Sequence, residues 1–114
     1  MCIRDRVQAA KSYIDEHYDQ PVTIGELARE CFLSANYLSK SFHEQVGMSP
    51  QQYLSQKRLA MGKKMLCSTQ LPIQAVSMRS GFSDVNYFIQ KFKAAYGMTP
   101  RKYRKTVAER EEGD

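Results

Sequence analysis

The residue types that perform covalent chemistry are few in this chain, and their spacing does not organise them. The two histidines are His17 and His43, and the His43-Glu44 pair stands outside any HExxH pattern. No phosphate-cradling glycine-rich loop and no nucleophile elbow is present. The three cysteines, Cys2, Cys31 and Cys67, are odd in number, far apart and without a CxxC pair. Neither a disulfide framework nor a zinc site is expected, and no cofactor or catalytic residue is assigned. What does cluster is positive charge. Residues 49–105 hold eleven Lys/Arg against one acid, Asp84, whereas 1–48 hold five basic and seven acidic groups, and 106–114 hold one against four. A basic stripe within a folded domain attracts a polyanion, either nucleic acid or an anionic membrane surface; the plainer reading is a solvated face.

The elements that carry this stripe are helical. The length of 114 residues, with 42% hydrophobic and 25% charged residues, suits one soluble domain. No apolar run approaches the roughly 20 residues that span a bilayer. The start, Met1 to Arg6, has no apolar stretch behind its charges, so a secretory signal is not expected and the cytoplasm is. Val7, Ala10, Ile14 and Tyr18 recur at three- and four-residue steps, one face of a first helix. Thr23 to Glu26 reads as a capping box opening a second helix, with Leu27, Ala28 and Cys31 inward. Ser34 caps a third helix, which Gly47 closes. Ser49-Pro50-Gln51-Gln52 orders a cap, a first-turn proline and a reciprocal glutamine at the start of a fourth helix, 50–67. Pro72 opens a fifth, Ser83 or Asp84 caps a sixth that stops at Gly97, and Thr99-Pro100 opens a seventh, 100–108. The acidic residues 109–114 read as a frayed tail. No stretch sustains period-two alternation, so an all-α fold without sheet is expected.

The chain also repeats itself. Tyr37, Phe42, Gly47, Met48, Pro50 and Tyr53 match Tyr87, Phe92, Gly97, Met98, Pro100 and Tyr103, each fifty positions later. Ile24, Leu33 and Ser34 match Ile73, Phe82 and Ser83 at an offset of forty-nine, so the second copy has one extra residue in its turn. Each copy is a short helix, a tight turn and a second helix, the plan of a helix-turn-helix. The copies occupy 24–46 and 73–96, joined by the long fourth helix. That helix, about eighteen residues, spans roughly 27 Å, against about 34 Å between adjacent major-groove faces of B-DNA. Two units so joined can reach successive major grooves, and one chain can read an asymmetric site as a monomer.

In a recognition helix the base-reading side chains lie on the outward face near its start. Leu38 and Phe42 take the inward face of the third helix, which leaves Asn36, Ser39 and Lys40 outward. The same reasoning on the sixth helix gives Val85, Asn86, Ile89 and Gln90. Val85 or Ile89 can pack on a thymine methyl, although Ile89 also fits ordinary packing and Ser39 a plain solvent position. Lys57, Lys91, Lys93, Arg101, Lys102 and Arg104 are the phosphate candidates. Phe42, Phe82, Phe88, Phe92, Tyr53 and Tyr103 sit at core spacing and are assigned to two small cores rather than to base stacking. A helical protein-interaction module that keeps the fold without binding DNA is the rival reading.

Gly81-Phe82-Ser83-Asp84-Val85-Asn86-Tyr87-Phe88-Ile89-Gln90-Lys91-Phe92-Lys93, followed by Gly97-Met98-Thr99-Pro100 and Tyr103-Arg104, resembles the signature of the AraC/XylS family of bacterial transcription regulators. Leu27-Ala28, Leu33-Ser34, Tyr37-Leu38, Phe42, Gly47-Met48-Ser49-Pro50 and Tyr53-Leu54 agree with it in the first half. The resemblance covers 7–105. It implies two helix-turn-helix subdomains bridged by a linker helix, about seven helices in all. It also implies sequence-specific binding of double-stranded promoter or operator DNA, commonly with activation through RNA polymerase. Family base contacts fall on the positions of Asn36, Ser39 and Lys40. Members usually carry a companion domain for effector binding or dimerisation. Where the family often has arginine, this chain has Lys40, which keeps the charge without the bidentate fork, and Gln90, which suits adenine. Asn86 stands where a small serine is common. Residues 1–6 fit no family pattern and read as an artefactual or truncated start.

Overall fold

A computed structural model describes residues 3–112. Its elements are α1 (Ile3–His17), α2 (Ile24–Glu30), α3 (Ala35–Val46), α4 (Pro50–Ser68), α5 (Ile73–Arg79), α6 (Val85–Tyr96) and α7 (Pro100–Glu112), with no strand among the described residues. The chain divides into two compact units, one ending at Lys57 and the other beginning at Arg58. The boundary falls inside α4, which contributes Leu54 to the first core and Leu59 and Leu66 to the second.

In the first unit, Val7, Ala10 and Ile14 of α1 are completely buried, as their three- and four-residue spacing requires. They meet Leu27, Ala28 and Cys31 around α2, Leu38 and Phe42 of α3, and Leu54 of α4. The second unit is built on aromatic rings. Phe82, Phe88 and Phe92 follow one another at centroid distances of 5.1 Å and 5.8 Å, and Tyr103 of α7 meets Phe92 edge-on at 5.6 Å. Each fully buried Phe contributes about 1.5–3 kcal/mol by leaving water. Gly62 of α4 lets the Phe88 ring approach the helix closely: a Cβ there would stand 2.9 Å from Phe88 Cε1.

Local sequence sets the helix ends. Ser49 and Gln52 form the reciprocal capping box of α4, with N···O distances of 3.0 Å and 3.1 Å. Ser34 accepts the Tyr37 N–H, Thr99 the Lys102 N–H, and Asp84, rather than Ser83, the Asn86 N–H. Gly47 and Gly97 end α3 and α6 in the left-handed region, where the missing Cβ removes the steric penalty. Both helix-turn-helix turns are Schellman motifs. Leu33 N–H reaches Ala28 O in the first, and Phe82 N–H reaches Ser77 O in the second. The left-handed residue is Gly81 in the second turn but Phe32 in the first, at φ +58°. The extra residue of the second copy lies between this motif and the α6 cap.

The repeat is longer than identities alone reveal. Val7, Ala10 and Ile14 of α1 correspond to Leu59, Gly62 and Leu66 in the second half of α4, at an offset of fifty-two, and all six are buried. Tyr53 Oη donates to Asp15 Oδ1 at 2.8 Å; fifty and fifty-two positions on, Tyr103 Oη and Cys67 Sγ stand 3.6 Å apart. Lys11 lies over the Tyr53 ring as Lys63 lies over that of Tyr103. Each unit is thus one supporting helix, a helix-turn-helix and a closing helix.

Two ends differ from the reading of the sequence. The segment expected as a tail, 109–114, continues α7 to Glu112, since Ala-Glu-Arg-Glu-Glu is a run of strong helix formers; Gly113 and Asp114 lie outside the described residues. At the other end α1 starts at Ile3, ahead of the expected Val7, while Met1 and Cys2 lie outside the described residues.

Candidate nucleic-acid interface

Each unit presents one recognition helix, and the two present matching surfaces. Over 35–50 and 85–100, burial follows the same pattern position by position, with one difference: Ser41 is buried and Lys91 exposed. The pattern follows from the inward ridges, Leu38 and Phe42 in α3 and Phe88 and Phe92 in α6. Asn36 and Lys40 form an exposed ridge one turn apart, as do Asn86 and Gln90. Beside these ridges lie Ser39 in the first unit and Val85 and Ile89 in the second, all half-buried. Each set of proposed base-reading side chains therefore shares one face of one short helix.

The proposed phosphate residues separate into three kinds. Lys91, Lys93, Arg101 and Lys102 are exposed, with Lys91 Nζ 5.4 Å from the centre of the Tyr87 ring. Lys57 is half-exposed, 3.9 Å from Asp15 Oδ1, a loose surface pair of little energetic weight. Arg104 is turned inward. Its Nε donates to Leu66 O at 3.1 Å, Nη1 to Leu71 O at 2.6 Å and Nη2 to Thr69 O at 3.4 Å. These carbonyls end α4 and line the following loop, where a cation satisfies acceptors that the helix leaves unpaired. Three of the Arg104 donors are thus committed to backbone carbonyls within the second unit, the geometry of a clamp.

Three exposed aromatic residues escaped the sequence reading. Tyr37 and Tyr87, matching positions on the recognition helices, are 51% and 47% exposed, and Phe32 in the first turn is 80% exposed. The signal for the tyrosines was their place one residue before the inward Leu38 and Phe88. For Phe32 the signal was the repeat, which pairs it with Gly81, a turn glycine, at the offset of forty-nine. Burial raises the Cys31 thiol, with Glu30 adding to the effect, and burial lowers the Arg58 guanidinium, partly offset by Tyr87. No cluster of metal-ligating side chains exists among the described residues, and none of their helices is long and apolar enough to cross a membrane.

A family model described as a helix-turn-helix domain matches residues 27–106. The transcriptional activator RhaS of Pectobacterium carotovorum is 31% identical over 109 residues, covering 96% of this chain and 39% of RhaS. Among solved structures, the C-terminal domain of AraT, a response regulator from Geobacillus stearothermophilus, superposes with a TM-score of 0.85 at 33% identity, covering 89% of this chain and 84% of that one. The DNA-binding domain of AdpA, in complex with a target DNA, shares the fold with a TM-score of 0.90 at 20% identity, covering 95% of this chain and 97% of its own. The chain spans between about a third and a half of the length of the curated relatives it matches. Two equivalent recognition helices, the family match and these relatives make the chain a member of the AraC/XylS family of bacterial transcription regulators.

Proposed function

We propose that this chain binds double-stranded promoter or operator DNA sequence-specifically and regulates transcription in the cytoplasm. The recognition helices α3 and α6 enter successive major grooves. Asn36, Ser39 and Lys40 read bases in one half-site, and Val85, Asn86, Ile89 and Gln90 read the other. Lys57, Lys91, Lys93, Arg101 and Lys102 supply phosphate contacts, which position the protein without carrying sequence information. One chain carries both reading surfaces and occupies one asymmetric site of about 20 base pairs as a monomer. Activation through RNA polymerase is the regulatory outcome we favour, since RhaS is an activator.

The observation that carries this reading is the position-by-position match in exposure between α3 and α6. Two faces so alike, each offering polar side chains beside exposed cations, suit a repeated ligand such as a duplex. The test is selection of bound sites from a random duplex pool. Ultracentrifugation of the complex and a salt series on wild type and Lys93→Ala would follow. We expect one asymmetric site, a one-to-one complex and a salt slope smaller by about one unit in the variant. Equal affinity for the selected and scrambled duplexes would favour a protein-interaction module instead.

A further inference from the structure

The two recognition helices occupy equivalent environments but carry different chemistry. Ala35, Ser39 and Lys40 of α3 stand where α6 has Val85, Ile89 and Gln90. The outward step beside the exposed polar ridge is thus small and hydroxylated in the first unit, and branched and apolar in the second. In the second unit it also borders a recess of about 310 Å³ lined by Ile73, Val85, Ile89, Thr99, Pro100 and Arg101. Apolar groups form its walls, and Arg101, exposed on the first turn of α7, is its only charged member.

Resting on the DNA-binding reading above, we propose that the second unit recognises thymine through its C5-methyl group, seated against Val85 and Ile89 at the mouth of this recess. The first unit reads hydrogen-bonding edges instead. The methyl is the one apolar feature that the major groove displays, and it belongs to thymine alone among the four bases. Gln90, one position beyond Ile89, matches the adjacent donor and acceptor of adenine. Methyl and amide recognition side by side select A·T pairs. Lys40 has only donors to offer, and guanine presents two acceptors in the groove. The bound site is therefore chemically directional: guanine-containing under α3, thymine-containing under α6.

The experiment uses the whole chain and its selected duplex, with each thymine replaced singly by deoxyuridine, which removes the methyl and nothing else. We expect affinity to fall about fourfold at one or two thymines confined to one half-site, the effect of exposing one buried methyl group. Ile89→Ser should abolish that sensitivity, and Ser39→Ala should retain it. A selectively bound site that tolerates uracil at every thymine, or contains no thymine, overturns the methyl reading while leaving DNA binding intact. Uracil sensitivity that survives Ile89→Ser also overturns it, because the methyl is then read elsewhere. If no duplex is enriched from the pool, the DNA-binding reading fails and this inference fails with it.

Discussion

Replacing Arg104 by alanine separates two roles that basic residues play in this fold. The guanidinium donates to three backbone carbonyls, of Leu66, Thr69 and Leu71, which lie 33 to 38 residues earlier in the chain. Hydrogen bonds from a charged donor contribute about 1.5–3 kcal/mol each. Arg104 is half-buried and its contact to Thr69 is long, so two bonds at the low end of that range are the fair count. Arg104→Ala should then destabilise the protein by about 3 kcal/mol, a fall in Tm of roughly 10 °C for a chain of this size. Arg104→Lys should recover less than half of this, since one ammonium cannot meet carbonyls along three directions. Thermal unfolding followed by circular dichroism measures the loss. DNA affinity across a salt series, taken well below the transition, measures the other role. A phosphate contact would leave Tm unchanged and lower the salt slope by about one unit; that result would refute the clamp.

Four further outcomes follow from the packing, the backbone and one partly buried phenol. Gly62→Ala should cost about 1 kcal/mol net in urea unfolding, because crowding the buried Phe88 ring outweighs the helix preference for alanine. Gly97→Ala should cost a similar amount for a different reason: its φ is +80° and nothing lies within 4 Å of the added Cβ, so conformation alone is penalised. Phe32→Gly should raise the unfolding free energy in urea by about 0.5–1 kcal/mol, since it relieves the same backbone strain and removes a side chain with little packing. The Tyr53 phenol is pushed up to about 12 by burial and then by its hydrogen bond to Asp15. Its folded value lies above the unfolded value near 10, so its contribution is full below pH 10 and lost between about pH 10 and 12. Urea midpoints from pH 8 to 12 should show a decline that Tyr53→Phe flattens.

What could be read from the sequence was what is encoded locally. The caps at Ser34, Ser49 and Thr99 and the stops at Gly47 and Gly97 lie within four residues of the groups they satisfy, so spacing reveals them. The outward positions Asn36, Lys40, Asn86 and Gln90 follow from the inward ridges in the same way. The inward hydrogen bonds of Arg104 were not legible because its partners are distant backbone carbonyls, which carry no residue signature. The kinship of α1 with the second half of α4 went unseen because Val7, Ala10 and Ile14 share spacing with Leu59, Gly62 and Leu66 but not identity. Phe32 was obscure because a left-handed turn position usually announces itself with glycine.

The passage from one unit to the other in the middle of α4 bears on how the two reading surfaces could be taken apart. A break between Lys57 and Arg58 would sever a continuous helix, removing the i to i−4 hydrogen bonds that cross it and leaving carbonyls on one side and N–H groups on the other without partners. A single-headed fragment therefore needs to keep α4 whole, as residues 3–68 or 50–112. The same logic governs enlargement. A third head would be spliced in within the helix, preserving its turn-by-turn phase, so that each backbone N–H across the splice keeps its carbonyl four residues back.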